Sequence, residues 1–231
     1  MPQFKLDGLV LKIPRKCMND NIENAIVNGR YEGNETTATK HHVTDTDRVL
    51  DLGGGAGYVA LQAARLAGAE NVTTVEASPA MLKAIGDNAK KNGFDALRII
   101  HGAVVSGAHA DDTISFEVLP GFWASSILED EGEKRKASKL ITVPALKFSD
   151  LQERVKPTVI SMDIEGAELD LAREAWRPEV RIVIMEVHPN RYGMRGLRQL
   201  ISDMFANGFG LMPWGTRGSV MVFKRLDPPP S

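Results

Sequence analysis

The chain has 231 residues, 43% of them hydrophobic and 25% charged, with a net charge of -2. This size suits one domain over residues 1–231, and the balanced charge argues against a broad nucleic-acid surface, which is usually strongly basic. The single cysteine, Cys17, excludes an internal disulfide and an all-cysteine zinc site. The N-terminal residues lack the pattern of a signal peptide, and no apolar run approaches the roughly 18 residues of a membrane span. We expect a cytoplasmic protein without a membrane or nucleic-acid partner.

The first half of the chain alternates short apolar stretches with amphipathic ones. Residues 49–52 predict a buried strand, and the glycine-rich loop 53–57 leads from it into an alanine-rich helix. A β-branched strand over residues 72–75 ends at Glu76, and Ser78-Pro79 then begins a second amphipathic helix. Two consecutive strand–helix units are therefore predicted.

The second half continues this alternation around an irregular stretch. Its predicted elements are a third strand within 97–105, an irregular segment 106–147 with strand-like pieces at 114–118 and 140–143, a short helix 149–155, a fourth strand 158–162, a helix that ends at Trp176, a fifth strand 181–187, an amphipathic helix around 197–205, and two strands at 209–214 and 219–224. We expect residues 106–147 to form an inserted substrate loop.

This order of elements predicts an α/β fold with a Rossmann-like, doubly wound, mostly parallel sheet of seven strands. Because a glycine-rich turn rather than a helix joins the last two strands, they should form an antiparallel hairpin at the C-terminal edge. Residues 1–45 precede the first strand of the sheet and are expected to form an N-terminal extension.

A glycine loop and an acid at the end of the next strand predict an adenosine-containing ligand. Glycines between a strand and a helix permit a sharp turn and a close approach of a ligand to the backbone. Glu76 ends the following strand, where an acid accepts hydrogen bonds from ribose hydroxyls. The candidate cofactor residues lie at the carboxyl ends of the predicted strands: Asp51, Gly53, Gly55, Gly57, Glu76, Ala77, Ala103 and Asp163.

Two adenosine cofactors compete for this site. Residues 55–60 match the relaxed dinucleotide pattern G-x-G-x-x-[G/A], which favours NAD. Asp51 places a carboxylate near the end of the preceding strand, where it would repel a pyrophosphate and attract an ammonium or a sulfonium. The balance favours S-adenosylmethionine. The alternatives are an NAD-dependent oxidoreductase and a catalytically inert cofactor-binding partner subunit.

The segment 51–57 together with Glu76 resembles the cofactor motif of class I S-adenosylmethionine-dependent methyltransferases. Within that class, residues 161–168 and 186–189 resemble two signatures of the FkbM family, and the resemblance extends over roughly residues 30–225. It implies the class I methyltransferase fold and O-methylation of a hydroxyl on a small molecule such as a sugar or a secondary metabolite. Ser161 stands where the family usually has lysine, so no role of that lysine is carried over.

Four polar residues follow the fourth and fifth strands and are the candidate catalytic residues: Asp163, Glu165, Glu186 and His188. The carboxyl ends of parallel strands meet at one edge of a sheet, about 4.8 Å apart, so these side chains should converge. His188 suits a general base for a hydroxyl. Asp163 and Glu186 would orient it or hold a magnesium or manganese ion, and the sequence leaves the metal open. Glu168 is expected only to stabilise its helix through the dipole.

The inserted loop is expected to bind the acceptor or, alternatively, to form a packed flap of core aromatics. Trp123, Ser125 and Ser126 combine an aromatic surface with hydroxyls and would form a wall for a ring-bearing substrate. Tyr31, Glu32 and Glu35 would close over the cofactor or, alternatively, belong to a surface helix. The oligomeric state is left open.

Overall fold

A computed structural model of the protein describes residues 2–118, 126–127 and 139–226. Its helices and strands in chain order are β1 (Gln3–Leu6), β2 (Leu9–Lys12), α1 (Asp20–Val27), α2 (Gly33–His42), β3 (Val49–Leu52), α3 (Tyr58–Ala67), β4 (Val72–Glu76), α4 (Pro79–Lys91), β5 (Arg98–His101), β6 (Ala103–Val105), β7 (Thr113–Val118), β8 (Ser126–Ile127), β9 (Lys139–Lys147), α5 (Phe148–Val155), β10 (Val159–Met162), α6 (Glu168–Leu171), β11 (Ile182–Glu186), α7 (Pro189–Ala206), β12 (Phe209–Arg217) and β13 (Val220–Arg225). None of the helices in these ranges has the length and apolarity needed to span a bilayer.

The central sheet has seven strands in the order β12-β13-β11-β10-β3-β4-β5. The pairs from β11 through β5 are parallel, whereas β13 is antiparallel to both β11 and β12. The predicted mostly parallel seven-stranded sheet with a C-terminal hairpin is confirmed. The chain runs outward from β3 to β5 and later from β10 to β11 on the other side, so the strand order reverses between β3 and β10.

Both faces of the sheet are covered, which explains the apolar runs of its strands. Every residue of β3, β4 and β10 is buried, as expected for parallel strands between two helical layers. One core joins the sheet to α3 and α4, and the other joins it to α5 and α7. Val49 belongs to the first core and Leu50 to the second, which is the alternation of side chains expected along a strand.

The predicted third strand is two strands that belong to different sheets. β5 pairs with β4 in the central sheet, whereas β6 pairs with β9 in a four-stranded sheet of order β6-β9-β7-β8. Gly102 separates them with φ +154°, and a Cβ at this position would lie 2.8 Å from the Pro144 carbonyl oxygen. The close passage of β9 therefore turns the chain at Gly102. The predicted strand pieces at 114–118 and 140–143 are confirmed within β7 and β9.

The prediction of a helix that runs to Trp176 is wrong. Helix α6 spans only Glu168–Leu171. Glu165 at φ 54° and Gly166 at φ 121° keep the residues before it out of a right-handed helix, and beyond it Arg173 and Glu174 donate to carbonyls only three residues back. Trp176 nevertheless lies in the core, edge-on to Phe148 and Phe209 with ring centroids 5.0 and 5.5 Å apart. The acid-rich segment after β10 is therefore a loop.

The N-terminal residues dock on the helices that follow the first two strands of the sheet. Asn88 of α4 accepts a hydrogen bond from the Lys12 backbone at 2.7 Å, and Asn92 accepts one from the Val10 backbone at 2.9 Å. Asp7 accepts a hydrogen bond from the Tyr58 hydroxyl on α3 at 2.9 Å. This docking carries the chain on through α1 to residues 29–35, which pass over the carboxyl edge of the central sheet.

Candidate functional site

The site lies where the strand order of the central sheet reverses, a place where open α/β sheets bind ligands. Asp51 on β3 is in register with Ser161 on β10, and the Asp163 N–H donates to the Leu52 carbonyl at 2.9 Å. A Cβ at Gly53 would lie 1.8 Å from the Asp163 carbonyl oxygen. Glycine at position 53 is thus required by the close packing of the loop against the chain after β10.

A first cleft opens above the ends of β3, β4 and β6. Six of the eight predicted cofactor residues line it: Gly53, Gly55, Glu76, Ala77, Ala103 and Asp163. The side chains of Met81 and Phe116 add an apolar wall. The structure therefore brings together most of the residues chosen from the glycine loop and the strand ends.

Asp51 and Gly57 do not line this cleft. Asp51 is 3% exposed and accepts a hydrogen bond from the Thr74 hydroxyl at 2.7 Å, and its burial raises its pKa to about 6. Gly57 begins α3 at φ 86°, and a Cβ there would lie 3.2 Å from Ile85. Both residues therefore help to shape the glycine loop without lining the first cleft.

Glu76 is held at the end of β4 by two backbone groups. Its carboxylate accepts hydrogen bonds from the Gly55 N–H at 2.8 Å and the Ser78 N–H at 2.6 Å. Burial raises the pKa of Glu76 to about 7, and Asp51 adds to the rise, although the backbone donors oppose it. Glu76 therefore connects the glycine loop to the neighbouring strand, and its carboxylate has a fixed orientation.

A second cleft opens beside the first, above β10 and β11. Its charged lining consists of Arg30, Glu32, Glu35, Asp163, Glu165, Glu186, His188, Arg191 and Arg217. Glu32, Asp163 and Glu165 line both clefts, so the two meet at these three carboxylates. The predicted catalytic residues are brought together here.

His188 is held by a buried carboxylate. Its Nδ1 lies 2.9 Å from Glu168 Oε1, and the same oxygen accepts from the His188 backbone N–H at 3.1 Å. The other ring nitrogen, Nε2, lies 3.5 Å from Asp163 Oδ1 and 3.8 Å from Glu165 Oε2. Burial lowers the pKa of His188, but the surrounding carboxylates, Glu168 first among them, outweigh it and raise the pKa overall. The ring therefore presents Nε2 to the second cleft.

Glu168 does more than favour its own helix, which corrects the expectation from sequence. It is fully buried, and in addition to His188 it accepts from the Gly166 N–H at 2.7 Å. The other acids could be predicted because they lie at or just after the end of a strand. Glu168 pairs with His188, 20 residues later in the chain, and the sequence carries no signal for that pairing.

The remaining acids of the second cleft lie close to one another. Glu186 accepts a hydrogen bond from the Ser219 hydroxyl at 2.6 Å. Burial raises the pKa of Glu35 to about 7, and its contact with Glu186 adds to the rise. Burial, Glu186 and Glu165 together raise the pKa of Asp163 well above its usual value. The cluster thus concentrates negative charge that the protein groups neutralise only in part.

Two carboxylate oxygens have no hydrogen-bond partner within the described ranges. They are Asp163 Oδ1 and Glu32 Oε2, and both atoms are buried, although the Asp163 side chain as a whole is 35% exposed. Such groups are costly unless a ligand satisfies them. Both oxygens therefore indicate a binding partner with a positive charge or a hydrogen-bond donor.

Of the three residues expected either to close over the cofactor or to belong to a surface helix, Glu32 lines both clefts and Glu35 lines the second. Tyr31 is fully buried, with its ring centroid 5.9 Å from that of Tyr58. Glu32 has φ 44°, an unusual conformation for a residue with a side chain, and lines both clefts. Glu35 follows in the first turn of α2.

The three predicted substrate residues are not tested by the described part of the structure. Trp123 and Ser125 lie outside the described residues. Ser126 belongs to β8, where its backbone pairs with Glu117 of β7, and its side chain is outside the description as well. The role of these three residues stays a prediction.

Residues 49–131 match a family model described as a methyltransferase domain. Among solved structures, Trm5b from Pyrococcus abyssi is similar with a TM-score of 0.50 and 12% identity, over 95% of this chain and 54% of that chain. A precorrin-6y C5,15-methyltransferase from Geobacter metallireducens has a TM-score of 0.48 and 13% identity over 92% and 90% of the two chains. M. jannaschii TYW2, solved in complex with AdoMet, has a TM-score of 0.46 and 13% identity over 97% and 86%.

The chain therefore has the Rossmann-like fold of the class I methyltransferases, with the strand order and terminal hairpin described above. The resemblance to the FkbM family is not confirmed by these matches and stays a prediction. The cytoplasmic location and the absence of a nucleic-acid partner stay predictions too.

Proposed function

We propose that the protein is an S-adenosylmethionine-dependent methyltransferase that methylates a hydroxyl group on a small molecule. The observation that carries this proposal is the junction of the two clefts at Glu32, Asp163 and Glu165. A cofactor in the first cleft would present its reactive group at this junction. An acceptor in the second cleft would approach the same point from the other side.

The lining of the first cleft fits S-adenosylmethionine. Glu76 suits the ribose hydroxyls, and the apolar wall of Met81 and Phe116 suits the adenine ring. The unpartnered oxygens of Asp163 and Glu32 suit the cationic end of the cofactor. The same two carboxylates would repel the pyrophosphate of a dinucleotide, which argues against the NAD-dependent alternative.

When bound, S-adenosylmethionine supplies an electrophilic methyl group on a sulfonium. The acceptor oxygen would bond to the methyl carbon as the carbon–sulfur bond gives its electron pair to sulfur, and the hydroxyl proton would pass to a carboxylate of the second cleft such as Glu165. Asp163 at the junction and His188 in the second cleft, whose Oδ1 and Nε2 are 3.5 Å apart, would hold that hydroxyl. Because the methyl group is already reactive, the alignment of the two molecules supplies much of the rate.

The charge of the second cleft supports a neutral or cationic acceptor. Its five carboxylates outnumber its three arginines, and Arg191 is within 3.2 Å of Glu165. A phosphate-rich acceptor such as a nucleic acid would be repelled by this surplus of negative charge. A sugar or a secondary metabolite, the acceptor class that the FkbM resemblance implies, fits the same cleft.

Calorimetry with S-adenosylhomocysteine and NADH tests the proposal. Binding of S-adenosylhomocysteine without binding of NADH is the expected result, and the reverse pattern would overturn it. Transfer of a labelled methyl group to a panel of sugars and hydroxylated metabolites then tests the reaction. Cofactor binding with no transfer to any hydroxyl would favour the inert partner subunit.

A further inference from the structure

We infer that Asp163, Glu186 and His188 form a binding site for a divalent cation of the magnesium or manganese type in the second cleft. One ligand atom from each of the three residues lies within 4.8 Å of the other two. The residues come from the ends of β10 and β11, which are adjacent parallel strands, so the sheet itself holds them together.

The distances suit a shared ion better than a direct contact. His188 Nε2 and Asp163 Oδ1 are 3.5 Å apart, which is long for a hydrogen bond between an imidazole and a carboxylate. An octahedral ion with bonds of about 2.1 Å keeps its ligand atoms between about 3 and 4.2 Å apart. Small side-chain shifts of about half an ångström would bring all three atoms into this range.

A second observation points to a ligand at this place. Asp163 Oδ1 is buried and has no hydrogen-bond partner in the described part of the chain. A cation would satisfy this oxygen, and no described side chain does so. The orphaned atom is one of the three proposed ligand atoms, and it lies 3.5 Å from another, His188 Nε2.

Hydrogen bonds from neighbouring side chains orient the proposed ligands, as hydrogen bonds to the ligands do in known metal sites. Glu168 holds His188 Nδ1 at 2.9 Å and so directs Nε2 into the cleft. The Ser219 hydroxyl holds Glu186 at 2.6 Å. Metal-binding histidines commonly donate their second nitrogen to a carboxylate, and ligating carboxylates are themselves hydrogen-bonded.

The two carboxylates suit magnesium and manganese, and the imidazole favours manganese of these two. Three protein ligands leave coordination positions open towards the second cleft. The use of the cation rests on the proposed function: a hydroxyl bound to it would lose its proton more readily, and the proton would pass to a carboxylate of the cleft that is not a ligand, such as Glu165. His188 is then a ligand and not the base.

Manganese binding to the full-length protein tests this site without any reaction. After treatment with a chelator, the protein is titrated with Mn²⁺ and bound ion is measured by electron paramagnetic resonance, with Mg²⁺ as the competitor. We expect one site that Mg²⁺ competes for. Glu186→Gln and, separately, Asp163→Asn should each weaken it by about 100-fold, the upper range for disturbed metal sites, and Ser219→Ala by about 10-fold.

Thr37→Val is the matched control, because Thr37 lines the same cleft but its hydroxyl donates to the Gly33 carbonyl and to none of the three proposed ligands. It should leave Mn²⁺ binding unchanged within about twofold, because no charge and no partner of a ligand is lost. Absence of Mn²⁺ binding to the wild-type protein would overturn the inference. Mn²⁺ binding in Glu186→Gln and Asp163→Asn that is as tight as in the wild-type protein, with normal circular dichroism, would also overturn it.

The same samples separate this inference from the proposed function. S-adenosylhomocysteine binding is measured on each by calorimetry. Cofactor binding without Mn²⁺ binding would remove the cation site and leave the methyltransferase. Mn²⁺ binding without cofactor binding would remove the methyltransferase and leave the cation site.

Discussion

The two clefts differ in how their chemistry is assembled. The first depends on one continuous loop, residues 53–57, and on Glu76, whose carboxylate accepts a hydrogen bond from that loop. The second depends on pairs that are far apart in the chain, such as Glu168 with His188 and Glu186 with Ser219. A binding site that one loop supplies is visible in sequence, and the strand-end residues of the second cleft could be predicted from the order of the strands. The partners that hold them, Glu168 and Ser219, become visible only in the folded structure.

The largest effect should come from the second cleft. Asp163→Asn at the junction and His188→Ala beside it each remove a proposed ligand of the cation that would acidify the hydroxyl, so turnover should fall by about 10²–10⁴-fold, the range for lost assistance to proton removal. Single-turnover methyl transfer on an identified acceptor measures this. Chelation by EDTA should cause a similar loss that Mn²⁺ or Mg²⁺ restores.

Cofactor affinity provides the control for that experiment. His188 does not line the first cleft, so His188→Ala should change S-adenosylhomocysteine affinity by only a few-fold. A large loss of affinity in this variant would show that the two clefts are not separate. Full turnover in His188→Ala would remove His188 from the reaction.

The next effect belongs to the first cleft. Glu76→Ala should weaken S-adenosylhomocysteine binding by about 1.5–3 kcal/mol, the range for charge-assisted hydrogen bonds. Gly55→Val should reduce it further, because Gly55 has φ 52°, which a β-branched residue rarely adopts, and its N–H binds Glu76. Calorimetry measures both, and unchanged affinity in both folded variants would contradict the assignment of this cleft.

Glu168→Gln tests the link that sequence reasoning missed. If Glu168 positions His188, turnover should fall by about 10–100-fold, the usual effect of an outer group in such sites. A purely structural role would lower the free energy of unfolding and leave the pH profile of turnover unchanged. A displaced pH profile at normal thermal stability therefore distinguishes positioning from packing, and Glu174→Gln, far from His188, serves as the control.

Much of the fold followed from the sequence because strands and helices have distinct local patterns. The buried strands predicted at 49–52, 72–75 and 158–162 are confirmed as β3, β4 and β10, and the terminal hairpin is confirmed as well. The break at Gly102 was missed because it depends on the passage of β9, more than 35 residues later. The short α6 was missed because a run of acids and alanine resembles a helix, whereas positive φ at Glu165 and Gly166 delays its start to Glu168.

The same division holds within the site. Glu76 was identified from its place at a strand end, and the structure puts it in the first cleft. Asp51 was expected to touch the cofactor, yet Thr74, its neighbour across the sheet, holds it below the loop. Contacts across strands decide such cases, and no local pattern reports them.

The smallest expected effect is a pH dependence of cofactor binding in the first cleft. Burial raises the pKa of Glu76 to about 7, and the ribose hydroxyls need its ionised form as acceptor. S-adenosylhomocysteine affinity should therefore be constant above pH 8 and should fall as the pH drops through 7, by at most about tenfold per pH unit. The stability of the free protein depends on pH with the opposite sign. A carboxyl group with a raised pKa contributes stability at low pH, and this contribution is lost as the pH rises through 7.

The thermal shift on adding S-adenosylhomocysteine should thus be larger at pH 8 than at pH 6. Glu76→Gln cannot titrate, so its shift should be smaller and less dependent on pH, whereas His188→Ala should keep the wild-type trend. An equal shift at both pH values in the wild-type protein would show that Glu76 does not carry the cofactor.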